Sequence, residues 1–107
     1  MSIPEIDIHA TKKRLDAGDA TVVDIRDPRS FRAAHIPGAR RLDDANVRAF
    51  VRDADKSRTL IVCCYHGHSS LGAAAFFLHE GFADVYSMSG GFEAWRGTWP
   101  HETGEGA

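Results

Sequence analysis

The sequence predicts an α/β domain with a mainly parallel central sheet of about five strands, flanked by helices on both faces. Three observations lead there. TVVDI and TLIVCC are continuous β-branched and apolar runs rather than alternating ones, as expected of strands buried on both sides. Stretches with helical spacing separate the strand candidates, so each strand connects to the next through a crossover. The 107 residues suit one domain occupying 1–107.

Taken in order, Ile6 and Ile8 alternate with Glu5 and Asp7 and suggest a short strand, and ATKKRLDAG then reads as a helix stopped by Gly18. TVVDI is the next strand, ending near Asp24 or Ile25. Pro28 opens a short helix, PRSFRAAH, because proline's missing N–H is harmless in a first turn. Pro37 and Gly38 break it, and a brief segment runs on to Leu42. Asp43 or Asp44 caps a helix in ANVRAFVRDA, with Val47, Phe50 and Val51 on one face. The polar turn DKSR leads to TLIVCC. LGAAAFFLHE is then a helix with Ser69 or Ser70 as cap and Gly81 as stop, and its apolarity on nearly all sides argues for burial. DVYSM is a further strand and SGGFEAW a glycine-started helix ended by Gly97 and Pro100. The tail, about 101–107, has little to bury and is expected to be mobile.

Composition excludes more than it identifies. A hydrophobic fraction of 43% with 26% charged residues is ordinary for a globular domain, and a net charge of −2 with scattered Lys and Arg gives no reason to expect nucleic acid or a membrane as partner. The N-terminus has no basic-then-apolar leader, and no apolar stretch approaches the ~18 to 20 residues of a membrane span, so a cytoplasmic location is expected. The two cysteines are adjacent. Neighbouring Cα atoms lie ~3.8 Å apart, whereas unstrained disulfides want ~4.4 to 6.8 Å, so at least one thiol is expected to be free.

The chemistry concentrates at LIVCCYHGHSSLG. In a parallel sheet the site lies at the carboxyl ends of the strands, and this strand ends at Cys64. A strand, a tight loop and a helix N-terminus together form an anion site, because loop amides point inward and the helix adds its positive end. A cysteine starting such a loop has its thiolate stabilised, with its pKa expected below the free value of ~8.5, and becomes a nucleophile near neutral pH. Gly67 can take the positive φ that lets the loop curl. Ser69 and Ser70 can donate hydroxyls or cap the helix, and His66 and His68 can be donors or partly cationic attractors of anions. The competing reading of Cys64 is a buried structural thiol. Cys63 points to the opposite face of its strand and is expected to pack in the core. Cys64, His66 and His68 are metal-ligating residue types, but all three would have to converge from one tight loop, so no metal is expected.

CYHGHSS resembles the active-site loop of the rhodanese family, in particular its GlpE-type single-domain thiosulfate sulfurtransferases. VVDIRDPRSFRAAHIPGA is similar to that family's N-terminal signature and SMSGGFEAW to its C-terminal one. The resemblance implies a two-step transfer through a Cys64 persulfide. Thiosulfate is the donor, and cyanide, thioredoxin or another thiol the acceptor, with no cofactor. It also implies that the amides from Tyr65 through His66, Gly67, His68 and Ser69 to Ser70 cradle the persulfide. Asp24 and Arg26 match the family's acid, spacer and Arg; they are expected to form an ion pair organising loops, with Arg26 also available to steer anions into the substrate site. His35 and Trp95 are expected to be structural. Thiosulfate-active members often carry Lys or Arg in or just after this loop, where this chain has His66, His68 and Leu71. Activity is therefore expected to vary with pH through the imidazoles.

Other functions stay open on the residues alone. A cysteine phosphatase or arsenate reductase would need Arg at the sixth position after the nucleophile, which here is Ser70. A persulfide relay fed by a protein donor would use the same cysteine and loop. Non-catalytic modules of the family that the chain resembles commonly lack the cysteine or have a damaged loop, whereas this chain keeps both.

Overall fold

A computed structural model describes residues 2–105 of the chain. Strand β1 is only Glu5–Ile6. Asp7 ends it by accepting from the Ala10 N–H at 2.8 Å, so Ile8 starts helix α1 (Ile8–Asp16) instead of extending the strand. Strand β2 (Ala20–Asp24) leads to α2 (Pro28–Ala33), capped by Asp27, and β3 is the pair Arg40–Arg41. Helix α3 (Val47–Asp53) begins later than expected. The Asp43 carboxylate accepts from the Ala45 and Asn46 amides and holds a separate turn ahead of it. Strand β4 (Thr59–Cys63), α4 (Ser69–His79), β5 (Val85–Met88) and α5 (Gly91–Arg96) complete the order.

The five strands form one sheet in the order β1-β5-β4-β2-β3, every pairing parallel. Alternation along β2 and β4 divides the core. Val22, Ile61 and Cys63 face α1, α2 and α5 with Phe31, Phe92 and Trp95; Val23, Leu60 and Val62 face α3 and α4 with Phe50, Phe77 and Phe82. The fold class is therefore the one expected, with β4 central and its carboxyl end next to that of β2, where Asp24 pairs with Cys63.

Two further expectations change. Helix α4 is not buried all round: Ser70, Ala74 and Phe77 form its inward stripe, while Phe76 is 42% exposed and lines an open groove with Ile25, Leu42 and Val47. The spacing of the inward residues is that of a single helix face, and alanines on the other faces carry too little surface to demand cover. The segment expected to be a mobile tail makes defined contacts. Glu102 and His35 exchange backbone hydrogen bonds at 2.9 Å, and the Gly104 N–H donates to the Arg32 carbonyl at 2.8 Å. Residues 106 and 107 lie outside the described residues. Among the described residues no helix is long and apolar enough to cross a membrane.

Candidate active site

Cys64 is the first residue beyond β4 and is 2% exposed. Two amides donate to its sulfur, the Gly67 N–H at 3.1 Å and the Ser70 N–H at 3.3 Å, and the thiol itself donates to the Ser70 hydroxyl oxygen at 3.1 Å. The loop can close this tightly because Gly67 has φ +92°, and a Cβ there would stand 3.0 Å from the Gly90 nitrogen and 3.2 Å from the Met88 carbonyl oxygen. Of the amides from 65 to 70 expected to form the cradle, those of Gly67 and Ser70 reach Sγ itself.

The expected serine cap of α4 is replaced by sulfur. Ser69 and Ser70 lie inside the first turn, His68 precedes the helix without a side-chain cap, and the Ser70 N–H that a cap would satisfy donates to Cys64 Sγ instead. Cys64 thus sits on the positive end of an 11-residue helix. The Ser70 hydroxyl continues inward to the Ser87 hydroxyl at 2.7 Å, both side chains fully buried. Nothing in the local sequence around Ser87 marks this contact.

The glycine pair of SMSGGFEAW supplies the other half of the scaffold. Gly91 has φ +60°, and a Cβ on it would fall 2.4 Å from the Tyr65 carbonyl oxygen. That closeness lets the Phe92 N–H donate to the Cys64 carbonyl at 2.8 Å and the Glu93 N–H to the Tyr65 carbonyl at 3.1 Å. The clue available in sequence was two consecutive glycines at a helix start, which signal close backbone approach.

Around the loop, the Tyr65 hydroxyl donates to the Asp27 carboxylate and lies 3.2 Å from the Ser30 hydroxyl. The Tyr65 hydroxyl and then the Ser30 amide hold the Asp27 carboxyl well below the usual carboxylate range. Tyr65, His66, His68 and Ser69 are exposed at the mouth, whereas Gly67 and Ser70 are buried.

Arg26 is 5% exposed and committed to structure. Its guanidinium donates to both oxygens of the fully buried Asp24 at 2.8 to 3.1 Å and to the Ala34 carbonyl at 2.8 Å, and it lies 4.2 Å from the Phe92 ring centroid. Burial opposes its charge, but the bonds to Asp24 outweigh that and raise its pKa. Pairing with Asp24 leaves it little net field with which to steer an anion. Cys63 is fully buried in the core, and burial followed by Asp24 pushes its thiol pKa well up. His35 is fully buried, its Nδ1 2.8 Å from the Phe31 carbonyl and its Nε2 3.1 Å from Glu102, and Trp95 donates to the Pro100 carbonyl at 2.9 Å. Among the described residues no three His, Cys, Asp or Glu side chains gather as a metal site.

A family model for the rhodanese-like domain matches residues 7–98. A thiosulfate sulfurtransferase GlpE of Pseudomonas putida is 56% identical over 87 residues, covering 81% of this chain and 79% of its own. The protein of the same name from Pseudomonas aeruginosa is 50% identical over 94 residues, covering 88% and 86%. The solution structure of the rhodanese-like domain of the Alr3790 protein from Anabaena sp. is similar with a TM-score of 0.83 at 28% identity, covering 95% of this chain and 80% of that one.

Proposed function

The chain belongs to the rhodanese-like domain family, and from that premise we infer that it is a thiosulfate sulfurtransferase whose transferred sulfur rides on Cys64. The observation that carries the assignment to Cys64 is the convergence of two amides and one hydroxyl on its buried sulfur. The Cys64 thiolate attacks the outer sulfur of thiosulfate. The S–S bond to the sulfonate breaks, its electron pair leaves with sulfite, and Cys64 keeps a persulfide. A thiophilic acceptor then attacks the outer persulfide sulfur, and the electron pair of that bond returns to Cys64 Sγ. Sulfur at Cys64 carries negative charge before the first step and regains it in the second. The Gly67 and Ser70 amides, fixed in advance, need no reorganisation at either moment.

Tyr65, His66, Gly67, His68, Ser69 and Ser70 form the substrate site in this reading, the two imidazoles at the mouth meeting the thiosulfate dianion. Arg26 holds the loops rather than the substrate. Cyanide, thioredoxin or another thiol serves as acceptor, and no cofactor enters because the sulfur stays covalently on the protein. In this reading the protein works in the cytoplasm, where a reducing environment keeps thiol acceptors available. Phosphoryl transfer is disfavoured because the sixth position after Cys64 is Ser70, which cannot make the bidentate grip on phosphoryl oxygens that a guanidinium does. Relay from a protein persulfide would use the same cradle, with a different donor.

Intact-mass spectrometry after incubation with thiosulfate tests the reading. Wild type and Cys63→Ser should each gain one sulfur and Cys64→Ser none; a gain that survives in Cys64→Ser would overturn it. Gain from a protein persulfide but not from thiosulfate would favour the relay.

A further inference from the structure

We propose that Ser87 is a positioning residue for this sulfur chemistry, keeping the Ser70 hydroxyl proton aimed at Cys64 Sγ; the proposal deepens the sulfurtransferase reading and rests on it. Ser87 lies on β5 beside Val62 of β4, on the face covered by α4, and both it and Ser70 are fully buried. Its Oγ is 2.7 Å from Ser70 Oγ, which is 3.1 Å from the sulfur. Among the described residues Ser70 is the only hydrogen-bond partner of the Ser87 hydroxyl.

A chain of two hydroxyls has one proton per oxygen, so its direction depends on the charge at its end. Toward an anionic sulfur the Ser87 O–H donates to Ser70 Oγ and the Ser70 O–H donates to Sγ. Every proton then has an acceptor. A neutral S–H needs an acceptor itself, and the other groups reaching Sγ are the Gly67 and Ser70 amides, which only donate. The S–H must therefore donate to Ser70 Oγ, which turns the Ser70 proton toward Ser87 and leaves the Ser87 proton buried without an acceptor. Stranding a buried donor is the costly asymmetry of hydrogen bonding. The pair thus favours charge on the sulfur both when thiolate attacks and when the persulfide bond releases its electrons back to Sγ.

The charged and titratable groups around Cys64 come from several elements. His66, His68 and the Tyr65–Asp27 pair lie on or against the loop, Cys63 beneath it, the Asp24–Arg26 pair at the end of β2 and Glu93 at the start of α5. None of these touches Ser70 or Ser87 through a hydrogen bond among the described residues, so a change at Ser87 reads the hydroxyl chain.

The test is the pH dependence of Cys64 alkylation by iodoacetamide in a Cys63→Ser background, with kcat and KM for thiosulfate measured alongside. Ser87→Ala should move the alkylation midpoint up by about one pH unit, a roughly tenfold loss of anionic sulfur below the midpoint, and lower kcat more than it changes KM. Ser87→Thr should keep the parent profile and the equally shaped Ser87→Val should show the shift, a comparison that isolates the hydroxyl even if the alanine variant does not fold. In a Ser70→Ala background Ser87→Ala should add nothing. A folded Ser87→Val with the parent profile, or an equal shift with Ser70 already removed, would overturn the proposal. Alkylation needs no thiosulfate, so failure to form a persulfide would sink the sulfurtransferase reading while the profiles still decide on Ser87.

Discussion

The Phe92 amide donates to the Cys64 carbonyl at 2.8 Å, so the first turn of α5 grips the very residue whose side chain lies on the first turn of α4. Two helix N-termini therefore meet at one cysteine, one holding its backbone and the other facing its sulfur.

That grip depends on Gly91. Any Cβ at a residue with φ +60° and a neighbouring carbonyl oxygen 2.4 Å away forces the loop and α5 apart. Gly91→Ala should cost about 2 to 4 kcal/mol, combining left-handed backbone strain with overpacking. Urea unfolding measures that cost, and the yield of persulfide after thiosulfate should fall further than the loss of folded protein accounts for.

Tyr65→Phe removes the hydroxyl that keeps Asp27 ionised to unusually low pH. A depressed carboxyl in the folded state contributes stability above its unfolded value of ~3.9, and that contribution is lost as pH falls through the folded value. The variant should therefore be less stable than wild type at neutral pH, and the gap should close as the solution is acidified below about pH 4. Urea midpoints measured across that range decide it; a gap that stays constant would show that the carboxyl is not involved.

For His66 and His68 the expected signature is in KM. Both side chains are exposed beside the loop, where their ring N–H groups can donate to an anion. In the His66→Ala, His68→Ala double variant KM for thiosulfate should rise, with persulfide still formed at saturating thiosulfate. An unchanged KM would remove the histidines from substrate binding.

The C-terminal segment should matter for stability. Glu102→Ala leaves Nε2 of the fully buried His35 without its carboxylate, for which about 1 kcal/mol is expected. Truncation after Pro100 also removes the backbone pairing of Glu102 with His35 and should cost more. Urea titration of the three proteins checks the order.

Contacts near in sequence were the legible ones. Val22, Val23, Ile61 and Val62 are fully or almost fully buried, and such burial on both faces writes itself as an uninterrupted apolar run. The sulfur loop was legible because Gly67 and the serines have few other reasons to follow a core strand. Ser87 and Glu102 were not, because what gives them meaning is a partner 17 residues away in one case and 67 in the other. Asp43 misled for the opposite reason. Its local turn competes with helix initiation, and propensity alone does not say which wins. Alanine-rich α4 misled because small apolar residues fit an exposed helix face as readily as a buried one.

The seclusion of Cys64, 2% exposed with donors behind it, has a kinetic consequence. A sulfur this enclosed leaves little room for two small molecules at once, so sulfite should depart before an acceptor enters. Donor and acceptor should therefore compete for the same sulfur. Steady-state kinetics should then be ping-pong, with parallel double-reciprocal lines, and excess acceptor should inhibit by occupying the mouth before the enzyme is charged.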